Sequence, residues 1–141
     1  NTVLAVLAAA GSAIASGLED EGVPVRIIDI QKNHHSDVMT ELADCGAVIV
    51  GSATHNNNVL PGIADVLTYM KGLRPQNRVG AAFGSYGWSG ESPKIIQEWL
   101  ASMNMDMPAD PVKCLFVPKH EGLSQCVALG KTVAEALKAK C

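Results

Sequence analysis

The sequence of 141 residues has few basic residues, few aromatic residues and no long apolar run. Its 11 Lys and Arg residues against 14 Asp and Glu residues give a net charge of −3. A nucleic-acid surface needs clustered Lys and Arg, so this charge argues against nucleic acid as a partner. The apolar run at residues 3–10 is too short to cross a bilayer, and no Lys, Arg or initiator Met precedes it as in a secretion signal. We therefore expect a cytoplasmic domain with no membrane partner.

The spacings that indicate metal sites are also missing. The four cysteines form no C-x-x-C pair, which is typical of separate thiols in a reducing compartment rather than a disulfide framework or a zinc site. The four histidines lack the spacing of metal ligands. We expect no metal at these residues: Cys45, Cys114, Cys126, Cys141, His34, His35, His55 and His120.

The most informative stretch is residues 84–90, Gly-Ser-Tyr-Gly-Trp-Ser-Gly. It follows the apolar run 79–83 and precedes Ser92 and Pro93, which we expect to cap a helix. Glycine lets the backbone take positive φ and approach a ligand closely, while Tyr86 and Trp88 supply flat faces. The stretch predicts a loop that holds a planar ring; the alternative is that both aromatic residues only cover the core.

A second polar loop has the same context. Residues 51–58, Gly-Ser-Ala-Thr-His-Asn-Asn-Asn, directly follow the apolar run Val48-Ile49-Val50. Because parallel strands end at the same edge of a sheet, two such loops on neighbouring strands predict a binding crevice at the carboxyl edge.

Apolar strands and amphipathic helices alternate five times along the chain, which predicts one three-layer α/β domain over residues 1–141. We expect a five-stranded parallel sheet with the flavodoxin-like order 2-1-3-4-5. The predicted strands are residues 2–7, 24–30, 46–52, 79–83 and 112–117. The helices are expected to begin near Ala8, Ser36, either Asn58 or Leu60, Ser92 and Leu123.

The first junction is unusual, because the predicted helix 8–18 follows the strand 2–7 without a turn. A helix that packs against its own strand needs about two to six linking residues. We therefore expect residues to be missing between Leu7 and Ala8, either deleted from the molecule or left out of the sequence.

Three segments together resemble the flavodoxin domain of the A-type flavoproteins, also called flavodiiron proteins. They are residues 51–61, residues 67–75 and residues 80–90, the last being Gly-Ala-Ala-Phe-Gly-Ser-Tyr-Gly-Trp-Ser-Gly. The resemblance covers nearly the whole chain, and it implies a flavodoxin-like fold that binds FMN.

The resemblance also implies which residues bind the flavin. The loop of residues 51–58 would form one wall of the site. The loop of residues 84–90 would form the other, with the ring of Trp88 against the isoalloxazine and backbone N–H groups near the flavin nitrogens. The implied residues are Ser52, Thr54, His55, Asn56, Asn57, Ser85, Tyr86, Gly87, Trp88 and Gly90.

The chain departs from the family pattern at two points. Ala53 stands where the family usually has Pro, while Thr54 is kept. The hydroxyl-rich loop that holds the FMN phosphate between the first strand and the first helix is missing at Leu7-Ala8. If that loop is only disordered, we expect the protein to have been studied without FMN, since bound phosphate would order it.

Family members normally carry a preceding diiron domain, whose ligands are absent from this sequence. The resemblance thus implies an electron-transfer module excised from a longer oxidoreductase. Its flavin would take electrons from a rubredoxin or a flavin reductase and pass them to a diiron site that reduces nitric oxide or dioxygen, often that of the other subunit in a homodimer.

Three other interpretations remain open. A stand-alone flavodoxin or a quinone reductase would share the fold. A phosphoacceptor receiver domain would need an Asp at the end of the third strand, where Gly51-Ser52 stands. An interaction domain that has lost its phosphate loop would bind no flavin.

Overall fold

The computed structural model describes residues 2–7, 12–30, 32–54, 59–75, 78–86, 90–115 and 120–139. Strands and helices alternate along these residues, as the sequence predicts. The strands are Thr2–Leu7 (β1), Val25–Asp29 (β2), Cys45–Ala53 (β3), Val79–Tyr86 (β4) and Val112–Leu115 (β5). The helices are Ser12–Asp20 (α1), His35–Leu42 (α2), Pro61–Leu73 (α3), Ser92–Ser102 (α4) and His120–Ala139 (α5).

The five strands form one sheet in the order β2-β1-β3-β4-β5, and every pairing between them is parallel. Helices cover both faces, which explains why β3 is apolar at consecutive positions. Ala47 and Ile49 pack with α1 and α5, whereas Val48 and Val50 pack with α2, α3 and α4. The predicted α/β class with a parallel sheet is confirmed.

The two element boundaries near the predicted crevice have different outcomes. The described part of α1 begins at Ser12, whereas the expected helix start at Ala8 and the junction at Leu7-Ala8 lie outside the described residues, so a missing phosphate loop there stays a prediction. β4 continues to Tyr86 rather than ending at Phe83, because Ser85 pairs with Ala53 of β3.

The start of α2 also needs correction. His34, and not Ser36, is the N-cap of α2, where its side chain accepts from the Ser36 N–H and its own N–H donates to Asp37. α3 extends past Gly72 and ends at Leu73, followed by Arg74 in the left-handed conformation with φ of 52°. Side-chain capping and the C-terminal turn thus follow local geometry that the residue types alone do not reveal.

Met70 is fully buried in the core, and Cys126 is a buried free thiol, as is Cys45. No helix among the described residues is long and apolar enough to span a membrane.

Candidate functional site

The two predicted loops leave the sheet side by side. In the register of β3 and β4, Ser52 pairs with Gly84 and Ala53 pairs with Ser85. One residue further on, the N–H of Thr54 donates to the carbonyl oxygen of Ser85 at 2.9 Å. The walls predicted from the two separate motifs therefore start from one hydrogen-bonded strand pair at the carboxyl edge of the sheet.

Ser52 lies inside this edge rather than on its surface. Its exposed fraction is 1%, and its hydroxyl accepts a hydrogen bond from the N–H of Leu60 at 3.0 Å. Leu60 is the N-cap of α3 and supplies no side-chain cap of its own. The Ser52 hydroxyl thus anchors the start of α3 to the end of β3.

Ser92 connects the two loops through side chains. Although it is the first residue of α4, it is fully buried. Its hydroxyl donates to the Ser52 carbonyl at 3.1 Å and accepts from the Thr54 hydroxyl at 3.0 Å. The Ser92 N–H also donates to Thr54 Oγ1, at 3.3 Å. We call Thr54, Ser92 and the Ser52 carbonyl the hydroxyl relay.

Gly84 makes room for this hydroxyl relay. A Cβ at this position would lie 2.8 Å from Ser92 Oγ and 2.9 Å from Pro93 Cγ, and it would collide with the Ser52 carbonyl oxygen. The φ of Gly84 is not in the left-handed region. Glycine is therefore required here for close approach of three chain segments, and not for an unusual backbone conformation.

Half of the predicted flavin contacts fall on described residues. Ser52, Ser85 and Tyr86 lie at the carboxyl ends of β3 and β4, and Thr54 directly follows β3. Gly90 lies just before Glu91, the N-cap of α4. Thr54, Ser85 and Gly90 are partly exposed. The remaining predicted contacts lie outside the described residues: His55, Asn56, Asn57, Gly87 and Trp88. For all ten residues, a role in flavin binding stays a prediction.

Ser92 was not predicted from the sequence as part of this site. Ser92 and Pro93 were expected to cap α4, but Glu91 occupies the N-cap position and makes no side-chain capping bond. The partners of Ser92 are 38 and 40 residues earlier in the chain. No local pattern indicates a contact over that separation, so only the fold brings it out.

The edge offers a hydrogen-bond acceptor to a ligand. Thr54 Oγ1 keeps one lone pair after its two bonds with Ser92. Such an acceptor suits a ligand that carries N–H or O–H groups, and the N3–H and ribityl hydroxyls of a flavin are groups of this kind.

A second polar cluster lies between α2 and α3. His35 Nδ1 is 2.7 Å from Asp65 Oδ2, and the His35 ring lies 4.3 Å from the ring of Tyr69. Within the described parts of the chain, no three His, Cys, Asp or Glu side chains are placed to hold a metal ion. The cluster joins α2 to α3.

Shifted pKa values occur at the other end of the sheet. A side-chain hydrogen bond with Glu41 raises the pKa of Arg26, near the start of β2. Burial raises the pKa of the Cys45 thiol, at the first residue of β3. Because both groups lie away from the carboxyl ends of the strands, they do not belong to the candidate site.

Comparison with known proteins identifies relatives, although no family model matches the chain. It is 54% identical over 127 residues to a rubredoxin-oxygen oxidoreductase of Megalodesulfovibrio gigas, covering 90% of this chain and 32% of the relative. It is 39% identical over 123 residues to a nitric oxide reductase of Moorella thermoacetica, covering 86% of this chain and 31% of the relative. The chain thus spans about a third of the length of these curated relatives.

Solved structures give the same result. The rubredoxin oxygen:oxidoreductase from Desulfovibrio gigas superposes with a TM-score of 0.92 at 48% identity, over 99% of this chain and 36% of that one. The Flv1 flavodiiron core from Synechocystis has a TM-score of 0.89 at 25% identity, over 99% and 36%. A flavodoxin from the domain Archaea has a TM-score of 0.83 at 32% identity, over 97% and 98%. The chain belongs to the flavodoxin-like domains of the flavodiiron proteins, the A-type flavoproteins.

Proposed function

We propose that this chain binds FMN at the carboxyl edge of its sheet and serves as an electron-transfer module. The observation that carries the proposal is the direct coupling of the two predicted loops, through the Thr54 N–H and the Ser85 carbonyl at 2.9 Å and through the hydroxyl relay. These bonds join the starts of the two predicted walls. Relatives that include a flavodoxin support flavin as the ligand.

Each wall has its own task in this proposal. The loop of residues 51–58 holds the flavin by hydroxyl and amide groups, and Thr54 supplies a hydroxyl from a partly exposed residue. Because the Ser52 hydroxyl already accepts from Leu60 N, Ser52 acts mainly by shaping this loop. The second wall supplies the aromatic faces of Tyr86 and Trp88. When bound, FMN supplies the redox chemistry, and these residues set its position and exclude water.

The phosphate is the part of FMN for which the sequence provides least. Residues 8–10 are alanines without hydroxyl groups, followed in sequence by Gly11 and by Ser12, the first residue of α1. A helix N-terminus favours an anion. We propose that phosphate recognition depends on this junction, together with any residues missing between Leu7 and Ala8.

The parent protein is proposed from the names of the relatives. In that proposal the module belongs to a longer chain, receives electrons from a rubredoxin or a flavin reductase, and passes them to a diiron domain that reduces dioxygen or nitric oxide. Head-to-tail pairing of two such chains would bring the flavin of one to the diiron site of the other. The reduction itself would use residues that lie outside this sequence.

The test is a titration of the purified protein with FMN, measured as quenching of flavin fluorescence, with riboflavin as the comparison ligand. We expect saturable quenching by FMN and weaker binding of riboflavin, since riboflavin lacks the phosphate. Equal binding of both would contradict phosphate recognition at the α1 junction. If neither binds, the chain is an interaction domain and the proposal is wrong.

A stand-alone flavodoxin is the second candidate, and one observation favours it. The chain matches the archaeal flavodoxin over 98% of that protein, so a fold of this extent exists as a complete protein. The intact mass of the natural gene product separates the two candidates. A mass near 14.8 kDa favours the flavodoxin, and a mass about three times larger, as the length of the relatives suggests, favours the module.

A further inference from the structure

We propose that Ser92 is a positioning residue that fixes the Thr54 hydroxyl as a hydrogen-bond acceptor toward the flavin. The inference rests on the proposed flavin site and adds to it a residue that lies beneath the two loops. It follows from counting the hydrogens in the hydroxyl relay.

The direction of each bond in the relay is determined by the chemistry of its members. The Ser52 carbonyl oxygen can only accept, so the single hydroxyl hydrogen of Ser92 is donated to it over 3.1 Å. The hydrogen between Thr54 and Ser92, whose oxygens are 3.0 Å apart, must then come from Thr54. Thr54 has no second hydrogen to donate.

The backbone of Ser92 restricts Thr54 further. Its N–H donates to Thr54 Oγ1 at 3.3 Å, which occupies one of the two lone pairs. One lone pair remains for a ligand, and Thr54 is partly exposed at this edge. The relay therefore presents Thr54 to the crevice only as an acceptor, suited to an N–H or O–H group of the ligand.

Burial makes this arrangement stable. Ser92 has an exposed fraction of 0% and Ser52 of 1%. Water therefore does not compete for the hydrogen bond from the Ser92 hydroxyl to the Ser52 carbonyl. Gly84 leaves no space for another group, because a Cβ there would meet both Ser92 Oγ and the Ser52 carbonyl. The orientation of the Thr54 hydroxyl is thus set before any ligand arrives, which lowers the cost of binding.

The decisive experiment is a double-mutant cycle between Ser92 and Thr54, with the dissociation constant for FMN as the measurement. Ser92→Ala frees the Thr54 hydrogen, and we expect FMN to bind about fivefold to tenfold more weakly, as the loss of one oriented hydrogen bond implies. Thr54→Val removes the hydroxyl altogether. In that background, Ser92→Ala should change the dissociation constant by less than about twofold, because its target is gone.

The matched control is Ser102→Ala. It removes a serine hydroxyl from the same helix. Ser102 Oγ donates to the Trp99 carbonyl, with 2.6 Å between the two oxygens, at the end of α4 that lies far from the crevice. We expect FMN binding to stay within about twofold of the unmodified protein, since this bond does not reach Thr54. A loss equal to that of Ser92→Ala would show a general effect of destabilising α4 and would overturn the proposal.

Two further outcomes separate this inference from the proposed function. If the unmodified protein binds FMN and Ser92→Ala weakens binding equally with Thr54 and with Val at position 54, Ser92 does not act through Thr54 and the inference is wrong. If the unmodified protein binds no flavin, the proposed function fails first. Should Ser92→Ala not fold, as judged by circular dichroism, the same cycle with Ser92→Cys decides, because a thiol donates and accepts only weakly.

Discussion

Two of the places among the described residues where a Cβ has no room use the space differently. Between α1 and α5, a Cβ at Gly17 would collide with the Val127 carbonyl, and one at Gly130 would collide with the Ile14 carbonyl. At the carboxyl edge, a Cβ at Gly84 would displace Ser92 and the Ser52 carbonyl. The first contact joins two helix backbones, whereas the second holds polar side chains between two strands and a helix.

The comparison shows that close approach at a glycine serves stability at one place and a candidate site at the other. The α1–α5 contact lies beside buried apolar residues such as Ile14, Leu18 and Leu129, where close packing is the whole benefit. The contact at Gly84 contains the hydroxyl relay, whose hydrogen bonds link the two loops. Changing the first should therefore alter stability alone, and changing the second should alter stability and flavin binding together.

The largest effect is expected from Gly130→Ala or Gly17→Ala. Either methyl group must push a backbone carbonyl of the partner helix, which should lower the free energy of unfolding by about 3 kcal/mol despite the better helix propensity of alanine. Urea denaturation followed by circular dichroism measures this. In the fraction that remains folded, FMN should bind as in the unmodified protein; a selective loss of FMN binding would contradict the separation of the two contacts.

Gly84→Ala should have the next largest effect on stability and the largest effect on the site. The added methyl group displaces Ser92 Oγ, the Ser52 carbonyl or both, at a cost of about 2 kcal/mol in the free energy of unfolding. Because the loops are then no longer held together, we expect FMN to bind at least about tenfold more weakly. Unchanged binding in a destabilised protein would mean that the relay does not shape the site.

The sequence reveals the frame of the fold but not the contacts that distinguish these two places. Continuous apolar runs such as Val48-Ile49-Val50 predicted buried parallel strands correctly, because burial on both faces leaves a strong local signal. Gly17 gave no indication of its contact, since its neighbour Val127 is far away in the sequence.

At the candidate site, tertiary pairing outweighed local propensity. Gly84 and Ser85 have the composition of a loop, yet both belong to β4 because Ser52 and Ala53 lie opposite them in β3. The position of the two loops at one edge was predictable from the alternation of strands and helices. The link through Ser92 was not, because it joins residues 38 and 40 positions apart.

Ser52→Ala tests the polar side of the comparison with a smaller change. It removes the hydroxyl that accepts from Leu60 N at 3.0 Å, while the Ser52 carbonyl in the relay stays. We expect a loss of about 1 kcal/mol in the free energy of unfolding. The dissociation constant for FMN should rise less than in Gly84→Ala; an equal or larger rise would show that the Ser52 hydroxyl itself contacts the ligand.

Gly72→Ala should have the smallest effect, and of opposite sign. Gly72 lies in the last turn of α3, and a Cβ there would meet no atom within 4 Å. Without a close contact, only helix propensity changes, so stability should increase by about 0.5 kcal/mol, less than mid-helix because the turn is terminal. The urea midpoint should rise slightly with FMN binding unchanged. A loss of stability in Gly72→Ala as large as that in Gly130→Ala would contradict this expectation. Helix glycines would then be sensitive to substitution even where no neighbouring atom is close, and the loss of stability at position 130 could not be assigned to the Ile14 carbonyl.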